Sequence, residues 1–307
     1  MFNNIDSGVW PTMLTPFTET NEVDYEALES IIDLYIKNGV NGLFAVCQSS
    51  EMVYLSLKEK ISIAKFVIDK ANGRVPVIAS GHTSVSFEDQ VNEIKLMAET
   101  GVEAVVLITN EFAKENESDE IWKINLKKLL KEIPKGIALG FYECPYPYKR
   151  IISPELLRWC AETGRFYFLK DTSCDTQNIK EKLEAVKGTG LKIFNANSAT
   201  LLETLKLGIA GYSGVMANFQ PSLYVWLIKN WSEKPEEARH LVDFLSVSSL
   251  IEKQLYPVNA KYNLKLEGLK VNINCRVKNS DDFTATNRLE IEQLFELSKA
   301  FSKQYGI

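Results

Sequence analysis

Phe166-Tyr167-Phe168-Leu169-Lys170-Asp171 is a short apolar run that ends on two charges, preceded by Gly164 and followed by a longer amphipathic segment. Its length, its aromatic content and the glycine before it read as a buried β-strand. Seven more runs of this kind flank it: Val9–Leu14, Gly42–Val46, Val75–Ala79, Ala104–Ile108, Ile137–Tyr142, Leu191–Asn195 and Gly211–Val215. Helical periodicity fills the gaps over Tyr25–Lys37, Leu57–Ala71, Phe87–Glu99, Glu120–Lys131, Pro154–Glu162, Thr176–Val186 and Thr200–Leu207. Gly39, Gly73, Gly101, Gly136, Gly164, Gly190 and Gly208 stand where a helix should stop. Strand-to-strand spacing is roughly 20–35 residues, the size of one parallel βα unit with short loops. Eight such units in about 215 residues predict an α/β fold, a closed (β/α)8 TIM barrel. The rival, a doubly wound open sheet, usually carries a Gly-rich phosphate loop after its first strand; here that strand runs into Thr15-Pro16-Phe17-Thr18. The barrel is expected over residues 1–218. Residues 219–307 read as a C-terminal helical extension packed on it, with helices at Ser222–Lys229, Pro235–Ser249, near Asn259–Leu269 and at Arg288–Gln304.

Composition narrows the class further. The 307 residues are 45% hydrophobic with 16 glycines and 10 prolines, which is ordinary globular usage. Lysine plus arginine total 35 against 40 acids, a net charge of -5, and there is no basic stripe, so nucleic acid is not an expected partner. Apolar runs such as Ala104–Ile108 are far shorter than the roughly 18–20 residues of a membrane helix. The opening Met1-Phe2-Asn3-Asn4-Ile5-Asp6 lacks the charged-then-apolar pattern of a signal peptide, so a cytoplasmic protein is expected. Cys47, Cys144, Cys160, Cys174 and Cys275 are scattered, and with two histidines they offer no metal-ligand spacing. The sequence calls for no metal and no cofactor.

In a barrel the chemistry lies at the C-terminal ends of the strands. Side chains alternate along a strand, so Phe166, Phe168 and Lys170 are expected on one face, and Ala138, Gly140 and Tyr142 on one face of the preceding strand. Small residues with one aromatic suit the barrel interior, whereas Leu139 and Phe141 suit the layer beneath the helices. Lys170 and Tyr142 would then close neighbouring strands about 5 Å apart. Alone, a lysine closing a strand is most often a surface residue with its head in water, and a tyrosine is most often packing. Together at an apolar barrel mouth they read as an amine nucleophile with an acid/base partner. An exposed lysine, near 10.4, is protonated at neutral pH; bringing it to about 7–8 takes about 3–5 kcal/mol of bias, which desolvation can supply. Asp171, of opposite parity, reads as a cap for the following turn. The second strand ends in Val46-Cys47-Gln48-Ser49-Ser50-Glu51, whose hydroxyls and backbone N–H groups could form a nest for a carboxylate.

These residues resemble the dihydrodipicolinate synthase / N-acetylneuraminate lyase family of Schiff-base enzymes, from about Gly8 to Arg276. The resemblance is carried by Leu14-Thr15-Pro16-Phe17 with Val23-Asp24, by Cys47-Gln48-Ser49-Ser50-Glu51 at the family's Gly-Thr-Thr-Gly-Glu position, by Phe141-Tyr142 with Pro145, by Leu169-Lys170-Asp171-Thr172-Ser173, and by Gly214 to Asn218. It implies that Lys170 forms an imine with a 2-oxo acid, Tyr142 moves protons, Ser49 holds the carboxylate and Ser213 lies near the bound acid. Ser50 and Gln48 belong to the same substrate-binding turn, and His82 and Glu143 are lesser candidates for substrate contact. Asn197 and Ser198 imply a polar, uncharged far pocket. A homo-oligomer, tetramer or dimer, is implied as well.

The chain also departs from that pattern. Gln48 replaces a relay threonine, Glu111-Phe112 replaces a tyrosine pair, Glu143 replaces an asparagine, and Pro147 falls where the synthases place a carboxylate-binding arginine. Lys149 or Arg150 is left to compensate. The expectation is therefore a pyruvate-type Schiff-base lyase or aldolase other than dihydrodipicolinate synthase proper. A 2-oxo acid dehydratase using the same imine, and a non-catalytic 2-oxo acid binder, are the alternatives.

Overall fold

The structure, a computed structural model, describes residues 5–307; Met1–Asn4, part of the opening stretch read against a signal peptide, lie outside the described residues. Eight strands, β1 (Gly8–Val9), β2 (Leu43–Phe44), β3 (Val77–Ser80), β4 (Ala104–Ile108), β5 (Leu139–Tyr142), β6 (Phe166–Asp171), β7 (Lys192–Asn195) and β8 (Gly211–Tyr212), form one parallel sheet. Its order is β1-β8-β7-β6-β5-β4-β3-β2. The gap between β1 and β2 is spanned by a parallel bridge from Thr12 to Phe44, where the Met13 N–H donates to the Phe44 carbonyl at 3.0 Å. This is a (β/α)8 barrel.

Seven helices alternate with the strands: α1 (Tyr25–Lys37), α2 (Leu57–Ala71), α3 (Phe87–Ala98), α4 (Asp119–Glu132), α5 (Pro154–Glu162), α6 (Thr176–Ala185) and α7 (Leu201–Lys206). The first six start on a side-chain cap that satisfies an otherwise orphaned backbone N–H: Asp24, Ser56, Ser86, Ser118, Ser153 and Asp175. Then come α8 (Pro221–Asn230), α9 (Pro235–Ser248), α10 (Val258–Leu266) and α11 (Ala285–Tyr305). Helix α8 packs against β1 and α11 packs against α10 and α8, so the tail lies on the barrel.

The strands are shorter than the apolar runs that announced them. The run Val9–Leu14 gives only β1, because Pro11 has no N–H for the ladder. The run Gly211–Val215 gives only β8, after which Val215–Asn218 coils into a 3-10 turn.

One expectation about facing is corrected. Leu139 pairs with Phe166 but Gly140 pairs with Phe168, so Tyr167 is an extra residue in β6, a bulge. Phe166 therefore does not share a face with Phe168 and Lys170. It stacks on Phe141 at 4.3 Å in the outer layer, where Phe141 also meets Trp122 of α4 at 5.7 Å. Phe168 points inward and packs on Phe194 at 4.7 Å, on Trp10 at 5.7 Å and on Phe44 at 6.0 Å. This aromatic plug fills the barrel and leaves its C-terminal mouth for polar groups.

Candidate active site

Downstream of the bulge the alternation holds, and Tyr142 pairs directly with Lys170. Both side chains are buried, and the Lys170 Nζ lies 4.4 Å from the centre of the Tyr142 ring. Burial pulls the Lys170 amine down to about 8, against smaller upward pulls from Cys47, Cys144 and Glu252. That shift is a bias of about 3 kcal/mol toward the free amine. Burial also pushes the Tyr142 phenol well above its usual value, so it stands protonated. Its hydroxyl donates to Gln48 Oε1 at 3.0 Å, and the Cys144 thiol reaches the same oxygen at 3.5 Å. Both thiols near the amine, Cys47 and Cys144, are raised by burial and are neutral.

Gln48, Ser49 and Ser50 form a 3-10 turn after β2. Gln48 reaches Tyr142, as just described. The Ser49 hydroxyl donates to Thr12 Oγ1 at 3.0 Å. Ser50 is turned away from the mouth: its hydroxyl accepts from the Cys47 N–H and donates to the Cys47 carbonyl, each at 2.7 Å. It closes the turn.

Most of the remaining candidates have polar atoms committed elsewhere, although His82 Nε2 is buried with no hydrogen-bond partner. Ser213 donates to the Trp10 carbonyl at 2.9 Å. His82 stacks on Phe112 at 4.6 Å and accepts from the Ile108 N–H at 3.3 Å, and burial lowers it to about 4, so it is a neutral ring. Glu143 is fully buried behind the sheet, on the Lys182 Nζ at 2.6 Å. Ser198 bonds to the hydroxyls of Tyr212 and Tyr224, and Asn197 accepts from the Thr200 N–H and hydroxyl. Of the two residues expected to line a polar far pocket, Ser198 and the Asn197 side-chain carbonyl oxygen are thus engaged in internal bonds. Arg150 binds Asp119 at 2.9 Å together with the Lys114 and Glu117 carbonyls, whereas Lys149 donates to the Thr172 carbonyl at 2.9 Å.

Tyr256, in the tail, joins the site without any local motif to announce it. Asn218 Nδ2 donates to the Tyr256 hydroxyl at 3.2 Å, and the Ser49 hydroxyl beside Tyr256 partly offsets the upward push of burial on that phenol. Glu252, whose carboxyl is raised by burial, is pulled the other way by the Lys170 charge. Lys182 carries a signal of its own in the sequence: it lies with Ile179 and Ala185 on the buried stripe of α6, where a lysine needs a partner.

The arrangement can present a neutral amine beside a protonated phenol in an apolar barrel mouth. The dihydrodipicolinate synthetase family matches residues 6–281. The 4-hydroxy-tetrahydrodipicolinate synthase of Bacillus subtilis is 28% identical over 273 residues, covering 88% of this chain and 91% of that protein. The same enzyme of Methanococcus aeolicus is 28% identical over 305 residues, covering 98% and 99%. A prophage protein of the dihydrodipicolinic acid synthase family from E. coli K12, solved in complex with pyruvate, superposes with a TM-score of 0.86 at 21% identity, covering 96% of this chain and 99% of that one. The chain belongs to the dihydrodipicolinate synthetase family, whose members are lyases of the aldolase type.

Proposed function

We propose that the protein is a Schiff-base lyase that acts on a 2-oxo acid of the pyruvate type through Lys170. The observation that carries this reading is the buried Lys170 amine, lowered to about 8, on the face of Tyr142 at 4.4 Å. The neutral amine attacks the C2 carbonyl and water leaves, giving an iminium whose nitrogen accepts electrons. When the C3–C4 bond of a 4-hydroxy-2-oxo acid breaks, those electrons become the enamine and the C4 hydroxyl loses its proton to form the aldehyde. Tyr142 carries the protons at that hydroxyl and at C3. Ser49 and the backbone of its turn receive the carboxylate. Gln48 orients Tyr142 but cannot relay its proton.

Reduction with borohydride in the presence of pyruvate should add the reduced adduct's mass to Lys170, and Lys170→Ala should abolish both trapping and turnover while the fold is retained. Pyruvate binding without trapping favours the binder instead. Screening 4-hydroxy-2-oxo acids for released pyruvate then separates lyase from dehydratase.

We also propose that the protein is not an efficient 4-hydroxy-tetrahydrodipicolinate synthase. Gln48 and Phe112 cannot pass a proton as hydroxyls do, and Arg150 is held by Asp119 at 2.9 Å. The working form is proposed to be a homo-oligomer, tetramer or dimer. Among the described residues no helix is long and apolar enough to cross a membrane.

A further inference from the structure

We propose that Lys182 is a positioning residue for this site, holding the strand ends that carry Tyr142 and Lys170 through the acid that follows each of them. The inference rests on the Schiff-base reading above. Lys182 stands on α6 with its Nζ 2.6 Å from Glu143 Oε1 and 2.6 Å from Asp171 Oδ2, and all three side chains are fully buried. Glu143 directly follows Tyr142 and Asp171 directly follows Lys170. Alternation sends these acids to the helix side of the sheet while their neighbours point into the barrel. One ammonium therefore grips β5 and β6 from behind, at the two positions next to the proposed reacting groups.

The acids are tied into the backbone as well. Glu143 accepts from the Ile152 N–H through Oε1 and from the Thr172 N–H through Oε2, each at 3.0 Å, and its carbonyl accepts from the Thr172 hydroxyl at 2.6 Å. Asp171 Oδ1 accepts from the Ser173 N–H at 2.9 Å and from its hydroxyl at 2.6 Å. The loops after both strands thus converge on one cation. Stability alone does not explain the device, since burial raises the Glu143 carboxyl to about 7, a standing cost to the pair, and apolar residues of equal volume are often as stabilising or more so. What the triad supplies is a fixed separation. A displacement of about 1 Å between a nucleophile and its proton carrier is enough to cost on the order of 10²-fold in rate.

The roles of the two acids differ, and the test uses that difference. Glu143→Gln removes the charge that ties β5 to Lys182 while the Lys182–Asp171 pair still holds β6. Lys182→Met frees both strands. Two readouts are needed: the rate of borohydride trapping of pyruvate, which follows the amine, and the exchange of pyruvate methyl protons in D2O, which follows the proton carrier. Glu143→Gln is expected to slow exchange about tenfold or more while trapping stays within about twofold of the parent, with KM for pyruvate little changed. Lys182→Met is expected to slow both. A general loss of structure would slow both in Glu143→Gln as well, and that result overturns the proposal, as does a Glu143→Gln protein with exchange within twofold of the parent. If Lys182→Met fails to fold, Glu143→Gln decides alone. A parent protein that does not trap pyruvate at all defeats the Schiff-base reading itself, a failure distinct from unaltered kinetics in the variants.

Discussion

At the scale of single residues, two side chains carry the proposal and each makes its own prediction. Tyr142→Phe removes the proton carrier but keeps the ring under the amine, so substrate affinity should largely persist while the rate falls by about 10²–10⁴. A rate within threefold of the parent, measured on whichever 2-oxo acid is turned over, would assign the proton to water or Gln48. Lys170 predicts the pH dependence. Only the free amine attacks, so imine formation with limiting pyruvate should rise with pH and level off above about 8, where an ordinary lysine would keep climbing past 10. Linkage gives the sign for stability. Between about 8 and the unfolded value near 10.4 the unfolded chain holds a proton that the folded one has lost, so stability rises with pH across that window, and Lys170→Met should flatten the rise. Lys170 and Tyr142 could be located from sequence because strand parity and position at the strand end are local properties. Ser50 folds back on Cys47, three residues earlier, whereas Ser213 and Glu143, near the same strand ends, take their partners from far along the chain. Ser213 donates to a carbonyl 203 residues earlier, and Glu143 meets an amine 39 residues later. No spacing rule encodes such partners.

At the scale of elements, the helices followed the sequence pattern closely and the strands less so. Caps such as Ser56 and Asp175 are local signals, and the helices after them begin where those residues imply. Strand length depends on which N–H groups find partners across the sheet, and Pro11 ended β1 early for that reason. The bulge at Tyr167 was invisible because an alternating run looks the same with or without an unpaired residue. The tail is fastened to the barrel by a buried ion pair, Lys261 Nζ on Glu51 Oε1 at 2.9 Å. Glu51 also accepts from the Arg276 N–H at 2.6 Å and the Val277 N–H at 2.9 Å. Lys261→Met would leave that carboxylate buried without its counterion. A loss of about 3–5 kcal/mol in urea unfolding is expected, and a loss below about 1 kcal/mol would mean that the two N–H groups suffice.

At the scale of the whole molecule, the eight-fold repeat of strand, helix and glycine made the barrel readable. The placement of the tail was less so, because α8 packs on β1, which lies some 200 residues earlier in the chain. We propose that residues 1–218 carry the site and that residues 219–307 complete it through Tyr256. Gln48 holds the Tyr142 hydroxyl and Asp119 holds Arg150, and these two contacts set the last prediction. Assayed with pyruvate and aspartate semialdehyde, coupled to the next reductase, the protein should give a kcat/KM below about 10⁴ M⁻¹s⁻¹, the lower end for a dedicated enzyme. A higher value would show that Lys149 and a water take the missing roles.

The extra residue in β6 has a consequence for how this barrel can change over time. Lys170 is oriented by its pairing with Tyr142 on one side and Phe194 on the other, all downstream of Tyr167. Upstream of it, Phe166 is aligned with Leu139 independently. The strand thus has two phases joined at Tyr167, and a length change there exchanges which upstream side chain meets the helices without rotating the amine. A frameshift in the pleat that would turn the Lys170 side chain over in an uninterrupted strand is absorbed here before it reaches that residue.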